Sequence, residues 1–152
     1  MTERMIPGLE ALDGLIGEWD TEATHPMLPG SVIGGHSVFE WLDGERFLIA
    51  RSHMDHPDVP DSISVIGDTD GLRMHYFDSR GVSRNYDVSY VHNAWKMSRE
   101  AAGPDDFGQR LEWRLSADRN IVDGRSELCH DGETWQEDLL ITYRRTSGPV
   151  SA

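Results

Sequence analysis

Tyr76, Arg84 and Tyr86 are the side chains whose types and spacing are best suited to hold a small molecule. They flank the turn 79–81, and a three-residue loop there pairs Tyr76 with Arg84 on one face that is otherwise apolar. A guanidinium on an apolar face is costly unless it is paired. Arg84 could therefore receive a ligand carboxylate or phosphate, with the two tyrosine hydroxyls orienting the ligand.

Glu137 is the alternative partner for Arg84. A two-residue turn at 131–132 predicts that Glu137 lies across from Ser126, on the inward face of the last two strands. Trp113 joins the same interior through the alternation 107, 109, 111, 113 and 115. Arg84 could therefore form an internal ion pair with Glu137, or lie near the rim in reach of water.

Arg51 and His53 form a second polar pair, just before the long loop 55–61. A bulged turn at Gly44 points both side chains inward, whereas a two-residue turn places them on the face of Glu40. We prefer the bulged turn, which pairs residue 39 with 47. A histidine beside a loop that can act as a lid suits proton transfer, although a lone histidine is more often a structural hydrogen-bonding group.

Metal binding at the same loop is not expected. His53, Asp55, His56 and Asp58 are residue types that ligate metals, but their spacing matches no strong metal-binding signature. We therefore expect no metal site.

Ten runs of alternating apolar and polar residues are the elements that must position these side chains. Most are separated by tight turns, which favours an antiparallel meander. A sheet of this size removes its exposed edges by closing, so the sequence predicts an all-β, closed, ten-stranded up-and-down barrel, with a sandwich as the alternative. A short helix from Pro7, with Leu9 and Leu12 on one stripe, is expected to cap one end. The predicted strands are 15–24, 32–42, 45–54, 62–68, 71–78, 82–90, 91–100, 106–116, 120–130 and 133–144.

Composition limits the partners. The 152 residues suit one domain, 1–152 with a core at about 7–145, and 27 acidic against 14 basic side chains give a net charge of -13. Such a charge repels nucleic acid and anionic membrane surfaces, so neither is expected as a partner. One cysteine and no long apolar run predict a cytoplasmic protein without a membrane span. A homodimer remains open.

Several motifs carry a family resemblance. The segment 15–19, with Gly17 and Trp19 directly after a short helix, is the opening that calycin-type barrels such as lipocalins and fatty-acid-binding proteins use. Together with the segments 39–48, 55–57, 60–63, 75–82, 135–138 and 142–145, it makes the chain resemble an actinobacterial family of lipocalin-like proteins. The resemblance covers about residues 7–145 and implies a closed barrel. That family has no established activity to transfer.

Nitrobindin is a more distant resemblance and implies a ten-stranded barrel that holds haem through a histidine near the carboxyl terminus. Gly17 and Trp19 match its first strand, but Thr21, Ala23 and His25 replace the later glycines and the tyrosine. The predicted last strand contains no histidine. Haem binding is therefore kept only as an alternative, and no cofactor is expected.

The sequence thus favours a protein that holds a small apolar or amphipathic molecule inside a barrel. The expected ligand-binding residues are Arg51, His53, Tyr76, Arg84, Tyr86, Trp113 and Glu137. A second interpretation is an enzyme that uses the cavity for acid–base chemistry, with His53 or Glu137 carrying the proton. A third is an interaction module with a fully packed barrel, in which a ligand-sized pocket would be missing.

Overall fold

Ten antiparallel strands close into a barrel in the computed structural model, which describes residues 7–146. Each strand pairs with its neighbours in sequence, and the last strand pairs with the first. The predicted up-and-down barrel with a short amino-terminal helix is therefore confirmed. The expected domain limits, 1 and 152, lie outside the described residues. The strands are β1 Gly17–Thr24, β2 Ile33–Trp41, β3 Phe47–Met54, β4 Ser62–Asp68, β5 Leu72–Asp78, β6 Ser83–Val91, β7 Ala94–Arg99, β8 Gly108–Leu115, β9 Ile121–Cys129 and β10 Gln136–Arg145.

The helix α1 (Pro7–Ala11) and the 3₁₀ turn Leu12–Leu15 plug one end of the barrel. Leu9, Leu12 and Leu15 are fully buried there. Two interior tryptophans hold the plug in place: the indole N–H of Trp95 donates to the carbonyl of residue 8 at 3.1 Å, and that of Trp19 donates to the carbonyl of Leu15 at 2.9 Å. No helix within residues 7–146 is long and apolar enough to cross a membrane.

Three aromatic rings meet across the middle of the barrel. Phe39 of β2 lies 5.5 Å from Trp113 of β8 and 5.8 Å from Tyr143 of β10, measured between ring centroids. Between these rings and the plug, the interior is filled with buried side chains, among them Leu48, Ile66, Trp95, Met97, Leu115 and Val122. The hydrophobic core that stabilises the barrel therefore lies mainly in the half next to the plug, so the other half does not have to be filled with side chains.

The β5–β6 hairpin has the predicted register. Tyr76 lies across from Arg84, and Met74 lies across from Tyr86. The turn closes through a hydrogen bond from the Gly81 amide to the Asp78 carbonyl at 2.9 Å, and Gly81 adopts a φ of +85°, which favours glycine. Turn chemistry visible in the sequence sets this register.

The predicted β2–β3 register is wrong. A four-residue connection, 43–46, replaces both turns considered from the sequence, so Phe39 pairs with Ala50 and Glu40 with Ile49. Glu45 in this loop adopts a left-handed φ of +53°, which is uncommon for a side chain other than glycine. The shift turns the even-numbered residues of β3 inward and the odd-numbered ones outward.

The predicted β9–β10 register is also wrong. The connection is longer than two residues, because the Asp131 carboxylate accepts the amides of Glu133 and Thr134 at 2.8 and 2.7 Å. Gln136 therefore pairs with Leu128. Further along β10, a β-bulge places Asp138 and Leu139 opposite a single residue of β9, Ser126.

Candidate functional site

A cavity of about 550 Å³ occupies the half of the barrel away from the plug. Its mouth is formed by three connections: the β1–β2 loop with Leu28, the β3–β4 loop with Val59, and the β5–β6 turn with Arg80. Leu28 and Val59 pack over the buried residues Ala23, Ile33 and Met54, and so cover part of the opening. The volume lies within the ~300–1,000 Å³ typical of small-molecule sites.

The floor of the cavity is the aromatic trio Phe39, Trp113 and Tyr143. Its apolar wall comes from Leu111 of β8 and from Leu139 and Ile141 of β10. Burial raises the pKa of the Tyr143 hydroxyl, so this group stays neutral. Floor and wall together offer a guest mainly apolar and aromatic contact.

The opposite wall carries hydroxyls. Ser52 of β3 pairs across the sheet with Ser62 of β4, and Ser64 follows two residues later on the same face. The Ser52 hydroxyl lies 2.7 Å from that of Ser37. Ser52 faces inward because of the observed β2–β3 register, and Ser62 and Ser64 lie on the same face through the β3–β4 pairing.

Tyr76, Asp78 and Arg80 form a connected polar group at the mouth. The Tyr76 hydroxyl donates to the Asp78 carboxylate at 2.8 Å, and the Arg80 guanidinium donates to it at 2.6 and 3.2 Å. The Asp78 side chain has no exposed surface. Its burial opposes ionisation, but the hydrogen bonds from Arg80 and Tyr76 outweigh it and lower the pKa of Asp78 to about 2. Burial, reinforced by Asp78, raises the pKa of Tyr76.

His25 and Asp138 form a second polar group at the mouth. Nε2 of His25 lies 2.6 Å from Asp138, and Nδ1 accepts the amide of Met27 at 3.0 Å. Since Nδ1 accepts, the ring proton lies on Nε2 and is donated to the carboxylate. The other carboxylate oxygen accepts the Ser126 hydroxyl, and Ser126 in turn accepts the amide of Leu139. The arrangement fixes the β-bulge and the β1–β2 loop to one another.

Two of the predicted ligand-binding residues, Tyr76 and Trp113, line the cavity. Tyr86 faces inward but is buried beside it, where its hydroxyl donates to Gln109 at 2.9 Å. Burial raises the pKa of Tyr86, against the effect of the nearby Arg84 and Arg99 guanidiniums.

Arg84 lies outside the set of residues that line the cavity. It is half-buried, and its guanidinium stacks on the ring of Phe107, 5.1 Å from the ring centroid. The internal ion pair with Glu137 that the sequence offered as one alternative is not formed, because Glu137 lies on the outer face of β10.

The inward orientation predicted for Arg51, His53 and Glu137 is wrong. Arg51 pairs with Glu40 on the outer surface at 3.2 Å, and His53 bonds to Asp61 at 2.9 Å. The hydrogen bond with Asp61 raises the pKa of His53, whose side chain is exposed. Arg51 and His53 lie on the outer face, and not on the predicted inner face, because the β2–β3 loop is four residues long.

Glu137 points outward because the β9–β10 connection is longer than the predicted two-residue turn. It lies across from Glu127 and is exposed. The acidic group that lines the cavity is its neighbour Asp138. The two proton carriers named for an enzymatic mechanism, His53 and Glu137, therefore do not face the cavity.

Cavity residues that were not predicted from the sequence are His25, Asp138 and the serines of the hydroxyl wall. His25 follows directly after β1 and Asp138 lies two residues into β10, but only the bulge brings them together. Ser62 and Ser64 alternate with apolar residues, which is a visible signal of a strand face. Their inward direction depended on the register.

The cavity does not fit a haem held by a histidine. His25 is the one histidine among the described residues that lines it, and both of its ring nitrogens are already engaged. Within residues 7–146, no group of three or more His, Cys, Asp or Glu side chains is arranged to hold a metal ion.

Comparison with known proteins supports the fold. The crystal structure of Rv2717c from M. tuberculosis is similar, with a TM-score of 0.66 and 16% sequence identity over 95% of this chain and 100% of that chain. No protein-family model matches the chain. No curated protein matches it either. At this level of identity the similarity establishes a fold that the two proteins share, the β-barrel.

Proposed function

We propose that this protein binds a small, mainly apolar molecule in the half of the barrel that faces away from the plug. The observation that carries the proposal is the cavity of about 550 Å³ above the aromatic floor. A fully packed barrel would leave no such space, since protein interiors are normally filled to the density of organic crystals. Binding of this kind is typical of the lipocalin-like barrels that the sequence resembles.

The lining supports an amphipathic guest. The apolar part of such a guest contacts Phe39, Trp113 and Leu111 deep in the cavity. Removing this apolar surface from water stabilises the complex. The polar end of the guest meets the hydroxyl wall or the polar groups at the mouth. Tyr76 is the predicted ligand-binding residue best placed to orient it, because its ring lines the cavity while its hydroxyl is fixed by Asp78.

Fluorescence titration with N-phenyl-1-naphthylamine tests the proposal. This probe brightens when it leaves water for an apolar site. We expect saturable binding to the wild-type protein and a loss of at least tenfold in affinity for Ser64→Phe, which fills the cavity from β4. Ser89→Phe is the matched control, because Ser89 is exposed on β6.

Circular dichroism and thermal unfolding establish that each variant is folded. Equal probe affinities in the wild-type protein and a folded Ser64→Phe variant would contradict binding inside the barrel. The same conclusion would follow if the wild-type protein gave no saturable signal.

A further inference from the structure

Ser62 and Ser64 present hydroxyls to the cavity without a protein partner. Both side chains line it, and no hydrogen bond joins either hydroxyl to another residue in the described range 7–146. Ser64 as a residue is only 8% exposed, and what remains open lies on the cavity side, where a guest can reach its hydroxyl. By contrast, the neighbouring Ser52 hydroxyl is paired with Ser37. A guest that covers these two hydroxyls and excludes water from them must itself supply a hydrogen bond, or binding loses free energy.

The charges that line the cavity are unsuited to an anionic guest. Of its two guanidiniums within residues 7–146, Arg80 is ion-paired with Asp78, and Arg125 belongs to an outward-facing, exposed position of β9. Asp58 and Asp138 also line the cavity. An anion in the interior would lose its hydration without finding a free cation, and would meet carboxylates at the mouth.

The shape of the lining favours a ring compound. Phe39, Trp113 and Tyr143 form a floor of tilted and edge-on rings, and the apolar wall of Leu111, Leu139 and Ile141 lies opposite the hydroxyl wall. A flat guest can therefore pack its rings on the floor and apolar wall, with one polar edge turned toward β4.

From these observations, and resting on the proposed function, we infer that the natural guest is an uncharged ring compound that carries a hydroxyl or carbonyl group on one edge. Ser62 and Ser64 are the residues that distinguish this edge from a purely apolar one. Their side chains lie on the same face of β4, about 7 Å apart, so either can reach a group on a small ring system.

Isothermal titration calorimetry with three probes of similar shape tests this inference. The probes are 1-naphthol, 1-methylnaphthalene, in which a methyl group replaces the hydroxyl, and 1-naphthoate, which carries a negative charge. They are compared for the wild-type protein, the double variant Ser62→Ala/Ser64→Ala and the control Ser89→Ala.

We expect the double variant to weaken 1-naphthol binding by about fivefold or more, the effect of losing one hydrogen bond, and to change 1-methylnaphthalene binding by less than about twofold. Ser89→Ala should change neither affinity. The wild-type protein should bind 1-naphthoate more weakly than 1-naphthol at neutral pH.

An equal change for 1-naphthol and 1-methylnaphthalene would overturn the inference, as would tighter binding of 1-naphthoate. Either result, together with saturable N-phenyl-1-naphthylamine binding, would leave the proposed function standing. If none of the naphthalenes and no fluorescent probe binds, both the inference and the proposed function fail.

Discussion

The carboxylate of Asp138 accepts a 2.6 Å hydrogen bond from Nε2 of His25, joining the β1–β2 loop to the bulge of β10. The same carboxylate accepts the hydroxyl of Ser126, which also accepts the amide of Leu139. A β-bulge interrupts the ladder of backbone hydrogen bonds, and here a side chain replaces the missing partner. The hydroxyl of Ser126, on the neighbouring strand, thus holds the bulge at the mouth of the cavity in its conformation.

Replacing that serine is expected to destabilise the protein. Ser126→Ala leaves the partly buried Leu139 amide and one oxygen of Asp138 without this partner, which costs about 1–3 kcal/mol of unfolding free energy. Urea unfolding measures this difference. Ser89→Ala, at an exposed position, should stay within about 0.5 kcal/mol of the wild-type protein. An equally small effect of Ser126→Ala would show that the bulge does not need the hydroxyl.

Acid should destabilise the protein through Asp78. The pKa of Asp78 is about 2 in the folded protein, below its usual value of 3.8, so its ionised form favours folding above about pH 4. This contribution is lost as the pH falls from about 4 through 2. We expect Asp78→Asn to be less stable than the wild-type protein at pH 7 and to lose less stability over that acidic range.

Unfolding free energies measured at several pH values check this prediction. Asp43→Asn, in the exposed β2–β3 loop, is the control and should follow the acid dependence of the wild-type protein. An identical acid dependence in Asp78→Asn and wild type would exclude the buried Asp78 carboxylate as a source of stability.

The amino-terminal plug should tolerate no added atom at Gly8. A Cβ there would lie 2.7 Å from Cδ2 of Leu72 and 2.8 Å from Cβ of Tyr90. Gly8→Ala is therefore expected to cost about 1–3 kcal/mol through overpacking, even though alanine is the better helix former. Thermal unfolding of Gly8→Ala and Gly103→Ala compares this site with an open one, where a Cβ meets nothing within 4 Å. A Gly8→Ala variant as stable as wild type would mean that the helix is only loosely seated.

Arg84→Ala should leave ligand affinity within about twofold of the wild-type value, because Arg84 stacks on Phe107 and does not line the cavity. Fluorescence titration with N-phenyl-1-naphthylamine measures this affinity. Trp113→Leu, which removes part of the aromatic floor, provides the contrast and should weaken binding clearly. A large loss of affinity in Arg84→Ala would show that Arg84 takes part in ligand binding.

The sequence predicted the barrel and one hairpin register well because those features depend on local chemistry. Alternation marks every strand, and the glycine turn at 81 fixes Tyr76 across from Arg84. It failed for Arg51, His53 and Glu137, where a longer connection moves the register by one or more residues and reverses the faces. The left-handed Glu45 carries no strong local signal, because residues other than glycine rarely adopt this conformation. The bulge at Asp138 carries none because it is held by contacts with β9 and the β1–β2 loop.

Native mass spectrometry with added N-phenyl-1-naphthylamine tests most directly whether the cavity binds a small molecule, because it counts the molecules bound to each chain. We expect binding to saturate at one molecule per chain in the wild-type protein and in Ser89→Phe, and to be largely absent in Ser64→Phe. No bound species in the wild-type protein, or the same number of bound molecules in Ser64→Phe, would contradict a guest site inside the barrel.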